Sequence, residues 1–147
     1  MRLLTLTLAA ALMLPGIGHA AEAEAGHPAK LPAAAMPLAI FKSKAAVNIG
    51  KDGTVIDAPL RKSADGKFMS GVYTVKKKHR EDFREKGYPE DEFMLFVKGG
   101  ITLTSADGHV TKVGPGDAIS LDKGWKGVWE SDGYTKYYVI YSQDGVE

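Results

Sequence analysis

The chain has 147 residues, no cysteine, and a formal net charge of +1 from 19 basic and 18 acidic side chains. A chain with so little net charge creates no long-range field that would attract nucleic acid or an anionic membrane surface, so neither is expected as a partner. The absence of cysteine excludes disulfide bonds and thiolate metal ligands.

The first 20 residues have the layout of a secretory signal peptide. Arg2 supplies a basic start, residues 3–14 form a mostly apolar run, and Pro15 and Gly16 follow directly. Small residues at positions 18 and 20 fit a cleavage site after residue 20. The apolar run is too short to cross a bilayer, which takes about 20 residues. We therefore predict a signal peptide over 1–20, a periplasmic or secreted location, and no membrane partner after cleavage.

Residues 21–45 are predicted to form a flexible leader. The segment is rich in alanine, proline and glutamate at its start, and it shows no alternation of apolar and polar residues that would indicate a strand. A folded domain is expected to follow over residues 46–147.

The domain has short apolar runs separated by Gly, Asp and Pro, a rhythm typical of an all-β sandwich or barrel. Asp-Gly pairs at 52–53, 65–66, 107–108 and 132–133 favour tight hairpin turns, because glycine accepts a positive φ. Residues 79–86 (HREDFREK) are too charged for a core element and are expected to form a surface turn. The pattern predicts eight strands: 54–56, 68–75, 93–97, 101–105, 110–113, 118–121, 127–130 and 136–141.

Two segments of the domain have a spacing typical of one family. In the first, six residues separate Glu92 from Gly99. The second, GDAISLDKGWKGVWE at 116–130, places Gly116 and Gly124 at the two glycine positions of a second motif. Together they resemble the two motifs of the cupin superfamily, and the second segment is most similar to the branch that contains (S)-ureidoglycine aminohydrolase. The resemblance implies a single small jelly-roll β-barrel, so the predicted fold class is all-β.

The resemblance also implies where a cupin metal site would lie. It assigns the ligand positions to two histidines and a glutamate of the first motif and a histidine of the second. In this chain the histidine positions fall on Lys86 and Tyr88, or one residue earlier, and on Gly127, so only Glu92 remains. One carboxylate is a poor ligand set for a transition metal. We therefore predict no metal and no other cofactor.

Strand alternation predicts which side chains face the barrel interior, since residues two apart share a face. Glu92 is expected to point inward, and the other face of its strand would present Phe93, Leu95 and Val97. Gly127 would leave room in the interior, and Trp125 is expected to face the opening. One of Tyr137 or Tyr138 is expected nearby. The predicted ligand-binding residues are Tyr73, Met94, Phe96, Trp125 and Trp129.

Glu92 and Tyr88 are the candidate catalytic residues. A carboxylate on an apolar aromatic wall is disfavoured in its charged form and can act as a general acid or base. A structural alternative is a carboxylate hydrogen-bonded to Tyr88 or Trp129 that holds two strands together. The sequence does not separate these two interpretations.

Three functions therefore stay open. The first is an exported protein that binds a small polar metabolite in a barrel lined by aromatic rings and a carboxylate. The second is a metal-independent isomerase, lyase or hydrolase that uses Glu92 as acid or base. The third is a structural module with a filled barrel that forms a homodimer through its sheets.

Overall fold

A computed structural model describes residues 40–44, 46–48 and 52–146. The predicted signal peptide, 1–20, and most of the predicted leader, 21–45, lie outside the described residues. Within the described ranges, no helix has the length and apolar character that crossing a membrane requires.

The described chain is almost entirely β-structure, which confirms the predicted all-β class. Within the described residues a short 3-10 helix, Ile40–Lys42, precedes the strands. The strands pair into an antiparallel six-stranded sheet with the order β1-β2-β3-β10-β5-β8 and an antiparallel four-stranded sheet with the order β4-β9-β6-β7. The ten strands are β1 Val47–Asn48, β2 Val55–Lys62, β3 Phe68–Val75, β4 His79–Asp82, β5 Asp91–Gly99, β6 Ile101–Ser105, β7 Val110–Val113, β8 Ala118–Leu121, β9 Gly127–Ser131 and β10 Tyr134–Tyr141.

The prediction of a surface turn over 79–86 is wrong for the first half of this segment, because His79–Asp82 forms strand β4. This strand lies at the edge of the four-stranded sheet and pairs with β9 from His79 opposite Ser131 to Asp82 opposite Val128. An edge strand is held by backbone hydrogen bonds on one side and faces water on the other, so charged side chains are compatible with it. A turn follows, in which Gly87 N–H donates to the Phe83 carbonyl at 2.8 Å.

The main apolar core lies between the two sheets. It is built from inward-facing residues of both: Val75, Met94, Phe96, Ile101, Leu103, Val113, Leu121, Trp129 and Tyr134. Along β5 the burial alternates as predicted, with Glu92, Met94 and Phe96 buried.

A second, smaller cluster lies apart from the main core. Ile40 is buried there with Ala58 and Val72, and Phe41 and Tyr137 pack against them. Packing onto the barrel therefore includes residues of the predicted leader. Of the two tyrosines considered for the barrel interior, Tyr137 packs against this second cluster, whereas Tyr138 lies on the inner face.

Candidate functional site

A cavity opens between the two sheets, and we call it the central cavity. Its volume is about 210 Å³. That is smaller than the roughly 300–1,000 Å³ typical of pockets for drug-sized ligands, so its size suits a small molecule. The lining residues are Asp57, Met69, Tyr73, Glu81, Tyr88, Pro89, Glu90, Glu92, Trp129, Tyr134, Lys136, Tyr138 and Ile140.

Glu92 is buried in this cavity, with 4% of its surface exposed. One carboxylate oxygen, Oε1, accepts a hydrogen bond from Lys136 Nζ at 2.7 Å. The other oxygen, Oε2, accepts a hydrogen bond from the Tyr88 hydroxyl. Glu92 therefore bridges an ammonium and a phenol, and both of its oxygens have partners.

Lys136 is the second member of a buried ion pair, and 7% of its side chain is exposed. Its Nζ lies 3.2 Å from Met94 Sδ. The same atom lies 5.1 Å from the ring centroid of Trp129 and 5.5 Å from that of Tyr73, within the range of cation–π attraction. Burial lowers the pKa of Lys136, and the neighbouring Glu92 carboxylate acts in the opposite direction.

Sequence reasoning missed Lys136, although a signal was present. Its strand reads YTKYYVIY, and position 136 has the same parity as Tyr134 and Tyr138, both of which are buried. An inward Tyr138 therefore implied an inward Lys136. In the structure Lys136 pairs with Phe96, next to an irregularity in the register of β10 and β5 between Thr135 and Lys136. That irregularity is not visible in the sequence.

Tyr88 is fixed by the second motif segment. Its backbone N–H donates to the Trp125 carbonyl at 2.8 Å, and its own carbonyl accepts from Gly124 N–H at 2.7 Å. Its ring stacks on Trp129 with centroids 6.2 Å apart and planes 7° apart. Burial, followed by the charge of Glu92, raises the pKa of Tyr88. The phenol therefore stays protonated at neutral pH, as its hydrogen bond to Glu92 requires.

Asp57 and Tyr138 line another part of the cavity. The Tyr138 hydroxyl lies 2.9 Å from Asp57 Oδ1 and 3.1 Å from Oδ2. Burial raises the pKa of Asp57, and the hydrogen bond from Tyr138 acts against that increase. Burial likewise raises the pKa of Tyr73 to about 12, so this phenol is also protonated at neutral pH.

The indole of Trp129 leaves one polar atom without a partner. Its Nε1 is buried and has no hydrogen-bond acceptor among the residues that the structure describes. A buried unpaired donor costs roughly 1–3 kcal/mol. A bound water or ligand that offers an acceptor would relieve that cost.

The structure brings together four of the predicted site residues: Tyr73, Tyr88, Glu92 and Trp129 all line the central cavity. Met94 and Phe96 are fully buried in the core and do not line it. Met94 contacts the site through Lys136, as described above. Phe96 packs instead on Tyr134, with ring centroids 5.5 Å apart.

The expectations for Trp125 and Gly127 are not met by the geometry. Trp125 does not line the central cavity, and its Nε1 donates to Ser105 Oγ at 3.2 Å. Its ring fills the space beside Gly127: a Cβ added there would overlap the ring and lie 2.5 Å from the Thr104 carbonyl oxygen. The room that glycine leaves at position 127 is thus taken by Trp125, because the loop at 122–126 folds back over β9.

The residues around Glu92 do not fit the metal that the cupin resemblance implies. In the parts of the chain that the structure covers, no three His, Cys, Asp or Glu side chains form a group that could hold a metal ion. The Glu92 carboxylate faces the Lys136 ammonium at 2.7 Å instead. A divalent cation next to this ammonium would experience like-charge repulsion.

Comparison with known proteins agrees with this architecture. Residues 82–138 match the family model of the EutQ-like cupin domain. No curated protein matches the chain. Over these residues the chain is similar to the cupin superfamily, and its two antiparallel sheets have the cupin fold.

Three solved structures share the fold at low sequence identity. Ectoine synthase from P. lautus is 16% identical over 70% of this chain and 72% of its own, with a TM-score of 0.52. A protein with unknown function from Pseudomonas syringae pv. tomato str. DC3000 is 20% identical over 58% of this chain and 36% of its own, with a TM-score of 0.54. The Cnp3 cupin domain of Schizosaccharomyces pombe is 14% identical over 67% of this chain and 70% of its own, with a TM-score of 0.51.

Proposed function

We propose that this cupin-fold domain binds a small polar metabolite in the central cavity, next to the Lys136–Glu92 pair. The observation that carries the proposal is an ion pair that is buried from bulk solvent and lines the central cavity. A charged pair that serves packing alone contributes little net stability and is often replaceable by apolar side chains. Here the pair lines a cavity together with aromatic rings, which is the usual composition of a small-molecule site.

The donors around the cavity support a ligand with hydrogen-bond acceptors. The Lys136 ammonium carries three N–H groups, and the contacts described above involve Glu92 and the weak acceptor Met94. The Trp129 N–H has no acceptor among the described side chains and backbone groups. A small ligand with a carbonyl, carboxylate or hydroxyl oxygen can pair with such donors.

Export forms part of the same proposal and rests on the pattern of residues 1–20. A finer kinship with the (S)-ureidoglycine aminohydrolase branch, which rests on the segment 116–130, makes ureides one class of ligand to include. The ligand would have to be small, because the cavity volume is about 210 Å³.

A thermal-shift screen of the purified protein against small acids, sugars and ureides tests the proposal. A ligand at about 100 times its Kd adds about 2.7 kcal/mol to the free energy of unfolding. Each kcal/mol raises the Tm of a domain of about 100 residues by about 4–8 °C, so we expect a rise in Tm of roughly 10–20 °C.

Matched variants test whether the rise in Tm comes from binding in the central cavity. The double variant Lys136→Met with Glu92→Gln should lose the shift, whereas Lys112→Met, at an exposed site on β7, should keep it. An equal shift in all three proteins, or no shift with any compound, would contradict binding in the central cavity.

An enzyme that works without a metal is the second candidate. It is favoured by one arrangement, in which Glu92 accepts hydrogen bonds from both Tyr88 and Lys136. Such a group can receive a proton from one neighbour and supply it elsewhere. Turnover that disappears in a folded Glu92→Gln variant would favour the enzyme over a binding protein.

A further inference from the structure

Lys136 is the only basic side chain among the residues that line the central cavity, where it lies with four carboxylates. The ordinary role of a buried lysine, a stabilising ion pair, does not require an open space beside it. Nζ lies in a cavity whose walls include the rings of Tyr73 and Trp129 and whose volume admits a small molecule. The position is suited to a nucleophile.

Glu92 is placed to accept a proton from Lys136, and Tyr88 holds Glu92 in that position. Glu92 Oε1 lies 2.7 Å from Nζ and can accept a proton from the ammonium directly. Tyr88 holds the other oxygen of the same carboxylate and fixes its orientation. An amine nucleophile needs such a base close by, because only the neutral amine has a free electron pair.

We propose that Lys136 Nζ forms a Schiff base with the carbonyl carbon of a small aldehyde or ketone bound in the central cavity. The proposal rests on the proposed function and names the class of ligand. It is distinct from the acid–base role predicted for Glu92, because it assigns the covalent bond to a residue that no motif indicated.

The reaction balances without any further reactant. Glu92 takes one proton from the Lys136 ammonium, and the amine attacks the carbonyl carbon to form a C–N bond. The electron pair of the C=O double bond moves to oxygen, and this oxygen takes one of the two protons on the attacking nitrogen to give a neutral carbinolamine. The C–O bond then breaks, water leaves with the proton that Glu92 returns, and the nitrogen electron pair forms C=N. The products are a protonated imine and one water molecule.

The surroundings of Nζ favour both the neutral amine that reacts and the protonated imine that forms. Burial lowers the pKa of Lys136 and increases the neutral fraction, although the nearby charges of Glu92, Glu81 and Asp57 oppose the change. The product imine keeps the positive charge. It would stay beside the Glu92 carboxylate and near two aromatic rings, whose faces attract a cation.

Reductive trapping on the wild-type protein tests the inference. The full chain is incubated with propionaldehyde and sodium cyanoborohydride, and propylation is quantified at each lysine by peptide mass spectrometry. Because the cavity holds the aldehyde beside Nζ and Glu92 lies 2.7 Å away to accept the proton, we expect Lys136 to be labelled several times faster than exposed Lys112. In urea-unfolded protein the two lysines should react at similar rates.

The outcomes separate this inference from the proposed function. Labelling of Lys136 that is no faster than that of Lys112 in the folded protein overturns the Schiff base. If a thermal shift with a carbonyl-free ligand persists in that case, binding in the cavity stands and only the covalent step fails. The measurement is made on the wild type, so it does not depend on the folding of a variant.

Discussion

At the scale of single residues, the main feature is that the Glu92 carboxylate pairs with a lysine where the cupin resemblance implies a metal ion. The cupin resemblance assigns Glu92 to a group of metal ligands, and the structure pairs it with the ammonium of Lys136. A fixed positive charge of the chain thus faces the acid. Because both charges are buried, each depends on the other for compensation.

Removing one charge should therefore cost much more than removing both. Lys136→Met leaves Glu92 buried without its counter-charge, and we expect a loss of about 3–5 kcal/mol in the free energy of unfolding. The double variant Lys136→Met with Glu92→Gln should recover most of that loss, since glutamine can still accept from Tyr88. Urea unfolding of the four proteins in the cycle gives the coupling energy.

Lys112→Met is the control for the loss of a lysine, and it should stay within about 0.5 kcal/mol of the wild type because the site is exposed. If the double variant were as unstable as Lys136→Met alone, the ion pair would not be the source of the effect.

At the scale of secondary-structure elements, strands with clear alternation could be predicted and strands without it could not. The predicted ranges 68–75, 101–105, 110–113 and 118–121 match β3, β6, β7 and β8 residue for residue. Strand β4 has no apolar alternation, and it exists because β9 offers a row of backbone partners. Pairing between strands distant in sequence is not encoded in a local window, so this element could not be inferred.

The same limit applies to the site. Glu92 could be placed inward because β5 alternates, and Trp129 because it lies two residues after Gly127, the position that the cupin resemblance assigns to an inward histidine. Lys136 lies on a mostly apolar strand, where a charged side chain is first interpreted as outward-facing. The parity of position 136 with Tyr138 indicates an inward side chain, but Glu92, the counter-charge that makes an inward lysine favourable, lies on the neighbouring strand, and that relation is tertiary.

Close approach of β3 and β10 depends on a glycine. A Cβ at Gly71 would lie 2.6 Å from the Tyr138 hydroxyl and 2.7 Å from the Ala58 carbonyl oxygen. Gly71→Ala should therefore displace Tyr138 from Asp57 and lower the free energy of unfolding by about 1–3 kcal/mol, as overpacking does. Denaturant unfolding measures the change.

Gly114→Ala is the matched control, because the nearest atom that a Cβ would meet there is Asp117 Oδ2 at 3.7 Å. A Gly71→Ala protein as stable as the control would contradict the contact between β3 and Tyr138.

At the scale of the whole molecule, the outer face of the six-stranded sheet carries exposed apolar side chains. Phe93 and Val139 lie opposite each other on β5 and β10 and are 48% and 36% exposed. Tyr141 on β10 is also exposed, at 47%. We call this group the outer patch, and it lies on the face that the sequence assigned to a possible homodimer.

We expect the protein to form a dimer through the outer patch, because burying such side chains removes apolar surface from water. The double variant Phe93→Ser with Val139→Ser should shift the mass measured by sedimentation from dimer to monomer. Val110→Ser, at a 50% exposed site on the other sheet, should leave the mass unchanged. A wild type that sediments as a monomer, or a double variant that remains dimeric, would contradict this interface.

The chain contains two tryptophans, and they occupy different places: Trp129 borders the cavity, whereas Trp125 packs beside Gly127. Trp125→Phe therefore produces a protein whose ultraviolet emission comes from the indole next to Lys136 alone. Quenching or a wavelength shift of that emission reports directly on what enters the barrel, in real time and without any attached dye.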